Sequence, residues 1–553
     1  MFFMKKIYIL LICFPIIQVS AQIKCDWAYI PSGNSITNNI SHISTDQDGN
    51  ILSAGTIHGI ADMDPSNEPG DTSFSKVSYN YYISKTNNKG KLLWIKYFTS
   101  PKYFGKFEIK GLEVNSKKEI ILIGNFFGLV DFDLTVKGID TLRSHFQTYP
   151  DYFVAKYDTD GNLKWVFNIG DPTTSNMEAQ SLSLGLNDDI FVVANPNGTI
   201  DVDPGTAVHN SIGGNANVIC YSTDGKYLWN NNIAVKSSIG ITCQSLNTDF
   251  KNNSHLMSVG YYELTVSKFN NTGGRIWNKT LGSFASGSRV TPQSILVEKT
   301  SSNFYLCGTF SDTIDFDPGI GVNKKIASST NFQDGFIAKY DSNMNLIWVN
   351  TYKGNVLFGN YGLKFKGNDI VVVGSLLGTV DFGNANIFSS QAQASAFYLE
   401  LNKNGEAKTG FVLNGTGNFN SVNFNSNQTF TISGSVWSAT DMDPGANDLT
   451  LNPTKSRYFY GIYSNTLASV KYVTGKQEIK VFPNPTSNMI SINMPVKFTG
   501  LGYIIHNEVG QVMQRGDFKD NNTNINFEAY PKGVYFMQIE NNENQTIKII
   551  KRD

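Results

Sequence analysis

Five stretches of the chain alternate apolar and polar positions in the same way and end in tryptophan. They are YYISKTNNKGKLLW (Trp94), DYFVAKYDTDGNLKW (Trp165), NVICYSTDGKYLW (Trp229), LTVSKFNNTGGRIW (Trp277) and GFIAKYDSNMNLIW (Trp348). Eight residues before each Trp stands Thr86, Tyr157, Tyr221, Phe269 or Tyr340, and ten before stands Ser84, Ala155, Ile219, Ser267 or Ala338. Lysine separates the two in four of the five copies. Period-two spacing puts the small and aromatic residues on one strand face and the lysine on the other. Gly90, Gly161, Gly225 and Gly273 follow, where a hairpin turn needs φ > 0.

A second landmark precedes each of these stretches, an apolar run ending in a small residue: ILSAG (Gly55), IILIG (Gly124), IFVVA (Ala194), LMSVG (Gly260), FYLCG (Gly308), IVVVG (Gly374) and FTISG (Gly434). Both landmark series recur every 48 to 71 residues. The sixth unit has Thr409 in place of Trp, and the seventh ends in FYGIYSNTLASVKY. Each unit reads as four antiparallel strands without helical periodicity, which predicts an all-β fold, a seven-bladed β-propeller over residues 22–473. A β-solenoid is the alternative, with shorter and less hairpin-like repeats. Trp27 precedes the first unit, so its strand is expected to complete the last blade and remove an open sheet edge; Val470–Val473 compete for the same place.

Six units insert a segment between their second and third strands. It carries Asp62 and Asp64, Asp131 and Asp133, Asp201 and Asp203, Asp315 and Asp317, Asp381, or Asp441 and Asp443, three of the six in a full D-x-D-P-G frame. The fourth unit, Gly260 to Trp277, lacks it. Strand alternation sends every insert out on the face that carries the blade-to-blade connections, where a repeat protein often binds. Two readings of the aspartates stand side by side. Asp-Pro-Gly makes a tight turn, or the paired carboxylates are calcium ligands that need further oxygens to reach six to eight.

These units resemble secreted bacterial β-propeller repeat proteins with a G-x-F…D-F-D-P-G motif followed by K-Y-D-x-x-G-N-x-x-W, over about Ile43–Tyr472. The resemblance implies the fold and no chemistry. TDGKYLW (Thr223–Trp229) also looks like the docking motif of quinoprotein-type propellers, whose enzymes use an adjacent cysteine pair that this chain lacks.

Composition agrees with β structure, at 13% aromatic, 16% charged and 49 Gly. A formal net charge of −1 gives no electrostatic case for nucleic acid. Residues 1–21, MFFMKKIYILLICFPIIQVSA, read as a secretory signal peptide: lysines, an apolar core, then small residues. No later run has 18 apolar residues, so no transmembrane segment is expected. Cys25, Cys220, Cys243 and Cys307 form no framework and are read as buried free thiols, with a Cys220–Cys243 bridge as the alternative.

From residue 474 the blade landmarks stop, and IKVFPNPTSNMISINM, YIIHNEVGQVMQRG and INFEAYPKGVYFMQIENNENQTIKIIKRD suggest the short strands of a small β-sandwich. Residues from about Ile479 to Asp553 resemble the type A C-terminal sorting domain of the type IX secretion system. The matching residues are Phe482, Pro483, Asn484 and Pro485, then Gly510, then Pro531, Lys532, Gly533, Val534 and Tyr535, then Lys548, Ile549, Ile550 and Lys551. The resemblance implies recognition by the type IX machinery, removal of the domain, and release or attachment at the outer cell surface of a Gram-negative bacterium. An ordinary β-sandwich adhesion module is the alternative.

None of the six histidines forms an H-E-x-x-H pair, and no G-x-S-x-G elbow or P-loop occurs. The Asp-Gly turns before Trp resemble the Asp-box of sialidase propellers, an enzyme that also needs an arginine cluster. The expectation is a non-catalytic propeller without a cofactor, binding a glycan or protein ligand; a secreted glycan hydrolase is the alternative.

Overall fold

Apolar runs separated by tight turns place each strand beside the next in the chain, and the pairs are antiparallel. In the computed structural model the described residues are 22–466 and 480–552, except 34–38, 58–59, 67–71, 75–79, 99–103, 136–137, 147–148, 172–176, 212–215, 234–241, 260–263, 282–288, 329–332, 391–392, 426–428, 446, 454–456, 494–500, 519–521 and 540–545. The signal-peptide residues, Gly260 and Val470–Val473 lie outside them. The chain divides into two units, Met1–Leu467 and Ala468–Asp553.

In the first unit Asn39–Thr45, Ile51–Ile57, Asn80–Thr86 and Leu92–Tyr97 form one sheet in that order, innermost strand first. The same order repeats from the inner strands Phe104–Val114, Met177–Leu184, Thr242–Thr248, Arg289–Val297, Asn355–Lys366 and Gly417–Phe424. Each inner strand lies against the next, and Gly417–Phe424 lies against Asn39–Thr45, so the inner strands close a ring. This is a β-propeller. Gln22–Tyr29 pairs antiparallel with Arg457–Thr466 as the outermost strand of the last sheet, the role foreseen for the Trp27 strand.

Sheets packed on both sides have no solvent face. Every residue of Asp151–Tyr157 and of Asp334–Tyr340 is buried, lysines included. Buried charge is costly unless paired or hydrogen-bonded; Lys268 donates to the Ser342 carbonyl (3.3 Å), and three other third-strand lysines each meet an acid from the turn between the first two strands of their own sheet. Lys85 lies 2.9 Å from Asp46, Lys156 2.6 Å from Glu119 and Lys339 2.7 Å from Glu298.

The tryptophans clasp neighbouring sheets. Trp27 donates its indole N–H to the Asn88 carbonyl (3.2 Å), Trp94 to Thr159 (3.3 Å), Trp229 to Asn271 (2.9 Å), Trp277 to Ser342 (3.2 Å) and Trp348 to Lys403 (3.1 Å). Each acceptor lies in the last hairpin turn of the following sheet. Gly273 shows why that turn carries glycine: its φ is +84°, and a Cβ there would stand 2.6 Å from the Trp229 ring. Where Thr409 replaces Trp, Phe411 stacks on Tyr398 (5.3 Å) and Tyr463 (6.0 Å) instead.

In the second unit one sheet contains Lys480–Phe482, Met489–Asn493 and Asn522–Asn526, and the other Val512–Asp517, Gly502–Asn507, Gly533–Ile539 and Thr546–Lys551. Ile490, Ile492 and Ile525 of the first meet Ile505, Met537 and Ile549 of the second, which makes a small β-sandwich. Among the described residues no helix is long and apolar enough to cross a membrane.

Candidate functional site

The inserts leave the sheets at the foreseen face but fold back along them. The residue between each pair of aspartates is driven into the core: Met63, Phe132, Val202, Phe316 and Met442 are at most 1% exposed. Phe132 packs on Phe98, at the end of the preceding sheet's outer strand (5.8 Å), and on Phe153 of its own sheet (4.8 Å). The insert therefore wedges between neighbouring blades, and its turn reaches the third strand, where Tyr157, Tyr221 and Tyr340 donate to the carbonyls of Phe132, Val202 and Phe316.

The aspartates hold this wedge. Oδ1 of Asp315 accepts the N–H groups of Asp317 (3.1 Å) and Asn323 (2.8 Å), and Oδ1 of Asp317 accepts the Gly319 N–H (2.8 Å). The same pattern joins Asp131 to Asp133 and Asp140, Asp201 to Asp203 and His209, and Asp441 to Asp443 and Leu449. Asp62 accepts from the Asp64 N–H, and Asp64 accepts from Ser66 and from Leu92 on the outer strand. Among the described residues no three His, Cys, Asp or Glu side chains converge as a metal site. Cys25, Cys220 and Cys307 are buried free thiols; the side chain of Cys243 lies outside the described residues.

The inner strands carry a feature that sequence reading missed. Each has a β-bulge at the same level, where one residue is left without a ladder partner: Ser41, Lys110, Gln180, Gln244, Gln293 and Asn420. All are polar. In Asn355–Lys366 the bulge grows to Gly359–Gly362, and Tyr361 there bridges in parallel to Ser421. Bulges re-aim side chains and gather beside binding sites. Their sequence signal was the run ending in a small residue. Opposite the bulges, a Cβ at Gly55 would lie 1.8 Å from the Asn39 carbonyl oxygen, and one at Gly434 2.0 Å from that of Asn418. In the fourth unit the equivalent ladder position is held by Ser258, two residues before the Gly260 read from sequence.

Ser41, Lys110, Tyr361 and Asn420 line a narrow hollow of about 30 Å³ that opens to solvent, together with His42, Glu113 and Lys364. The Tyr361 hydroxyl lies 3.3 Å from His42 Nε2, with ring centroids 5.5 Å apart. Desolvation pushes the His42 imidazole down to about 4, helped by the Lys110 charge, so it is neutral at physiological pH. Lys110 reaches Glu108 at 3.1 Å. Desolvation raises the Glu113 carboxyl above its ordinary value, opposed by Lys364 and then Lys299. Burial lowers Lys299, opposed by Asp249 and Glu113, while its ammonium donates to the Thr248 carbonyl (2.7 Å).

In the C-terminal sandwich two motif blocks far apart in sequence meet. Asn484 donates its side-chain amide to the Lys548 carbonyl (2.7 Å) and accepts the Ile550 N–H (2.9 Å). Lys551 donates to the Ser487 carbonyl, and Thr486 and Lys551 form a parallel bridge. The Tyr535 hydroxyl donates to the Pro531 carbonyl (2.6 Å) beneath Gly533. Phe482, Pro483, Pro485 and Lys548 stay exposed.

Residues 480–552 match the family model described as the secretion system C-terminal sorting domain. No curated protein matches the chain. Among solved structures, the Dos1 propeller is 11% identical with a TM-score of 0.40, over 81% of this chain and 96% of that one. A protein of unknown function from Dyadobacter fermentans is 9% identical with a TM-score of 0.36, over 80% and 99%. PorZ, a surface component of the type IX secretion system of Porphyromonas gingivalis, is 9% identical with a TM-score of 0.29, over 95% and 83%. Likenesses this distant carry no argument about activity. The sorting-domain match does: the chain is exported by the type IX system, to the cell surface or beyond it.

Proposed function

We propose that the chain is a non-catalytic, seven-bladed binding propeller over residues 22–473, preceded by a signal peptide and followed by a removable sorting domain over 474–553. Its ligand is a glycan or a protein, met at the central channel. The observation that supports this reading is the ring of inner-strand bulges, which turns a polar residue out of register in sheet after sheet while Tyr361 reaches His42 across the channel. A structural ring has no need of such bulges, because unbroken ladders satisfy more backbone groups. In this reading the D-x-D-P-G aspartates are turn scaffolds rather than calcium ligands, since the Oδ1 atoms that would face a cation already accept backbone N–H groups. A glycan and protein array probed with the secreted protein tests it. Hits lost in a Ser41→Ala/Asn420→Ala variant and kept in Asp315→Ala support the channel; hits lost only in the insert variant contradict it.

A further inference from the structure

We infer that the hollow beside Tyr361 takes a carboxylate carried on a sugar, so that the ligand is a uronate-bearing glycan; this rests on the channel being the binding site.

The charges come first. Of the side chains lining the hollow, Lys110 and Lys364 are cationic and Glu113 alone is acidic. Lys110 is already held by Glu108 at 3.1 Å. Among the described residues Lys364 has no ion pair, and Glu113 has neither an ion pair nor a hydrogen bond, although each lies in the other's field. An ammonium without a contacting anion, set among hydroxyls, amides and an aromatic ring, is free to make a charge-assisted contact with an anionic ligand. The single anionic group that this site takes is small, because the hollow is pinched by the Tyr361–His42 contact.

The remaining walls distinguish a sugar from a peptide. Ser41, Ser421, Asn420 and Asn423 offer hydroxyls and amides, groups that exchange hydrogen bonds with sugar hydroxyls in both directions. Tyr361, 38% exposed beside the His42 ring, gives a flat aromatic face for a pyranose. A peptide docks best by adding along a regular free strand edge, and the bulges interrupt the run of backbone groups that the inner strands would offer to one.

The test is calorimetric titration of the secreted protein with oligomers of galacturonate, glucuronate and mannuronate, each beside its neutral parent sugar, and with triglutamate. The expected result is binding of a uronate oligomer and no binding of its parent. Lys364→Met is expected to weaken that binding about tenfold or more, as loss of a charge-assisted contact does. Glu113→Gln is expected to tighten it several-fold by removing a like charge, and Lys117→Met, on an exposed turn, to leave it unchanged. Should Lys364→Met not fold, the direction of the Glu113→Gln change decides alone. Equal affinity for acid and parent, weaker binding in Glu113→Gln, or preference for triglutamate would overturn the inference. Array hits confined to neutral glycans would overturn it while leaving the channel as a binding site, and absence of any ligand would end both.

Discussion

Tyr361 and His42 come from inner strands that are not neighbours in the ring, and the hydroxyl of one lies 3.3 Å from Nε2 of the other. The contact depends on the enlarged bulge at Gly359–Gly362. A Cβ at Gly359 would stand 2.4 Å from the Asn420 carbonyl oxygen, and one at Gly362 2.7 Å from that of Val373. Glycine at both ends lets the strand leave its ladder for the next sheet.

Acid sensitivity follows from buried histidines. His255 is fully buried between Trp277 and Phe304, and neither ring nitrogen has a hydrogen-bond partner. Desolvation pushes it from 6.5 down to about 3. A histidine depressed on folding binds fewer protons when folded than when unfolded, so its contribution is intact above 6.5 and is lost as the pH falls toward about 3. The slope from this one group approaches roughly 1.4 kcal/mol per pH unit. Denaturation midpoints measured from pH 7 to pH 4 should fall, and His255→Phe should flatten that fall.

Where glycine ends an apolar run, the close approach of the opposite strand's carbonyl makes it a steric requirement. Gly434→Ala would place a Cβ 2.0 Å from the Asn418 carbonyl oxygen, where backbone on both sides must shift, at a cost of about 2 kcal/mol or more. Ser258 sits at the equivalent ladder position with a Cβ already accommodated, so Ser258→Ala should cost under about 1 kcal/mol. Urea denaturation of the two variants checks the contrast.

That contrast also shows what the sequence could and could not disclose. Strands were legible because alternation and turn glycines are local, and closure by the Trp27 strand was legible because a lone copy of a repeated strand must pair somewhere. The burial of Lys85, Lys156 and Lys339 was not, because it depends on sheets from other parts of the chain covering both faces. The inserts were placed at the right exit, but their return between the blades is set by Phe132 meeting Phe98, a contact that no single repeat contains. The bulges left only the glycine landmark, whose meaning needs the opposite strand. The sorting domain was legible from motif residues; that Asn484 binds the terminal strand was not.

Asp315 shapes a turn by accepting two backbone N–H groups. Asp315→Ala should destabilise the propeller by about 1–3 kcal/mol through unsatisfied N–H groups, equally with and without added Ca²⁺. A calcium titration giving no heat with the unaltered protein is the matching result. Heat that vanishes in an Asp315→Ala/Asp317→Ala variant would make the aspartates ligands.

Asn484 ties the first motif block to the last through Lys548 and Ile550. Asn484→Ala should loosen the terminal strand by about 1–2 kcal/mol and lower the amount of protein exported. Mass spectrometry of the exported protein should find a C-terminus upstream of the sandwich; a product that still ends beyond Lys551 would count against removal of the domain.

The central claim is that recognition belongs to the channel rather than to the inserts. Hydrogen–deuterium exchange of the secreted protein, free and saturated with its best array ligand, tests it most directly. The account predicts new protection at the inner-strand bulges around Ser41, Lys110, Tyr361 and Asn420, with the insert at residues 313–326 unchanged. Protection confined to the inserts, with the bulges unaffected, would contradict it.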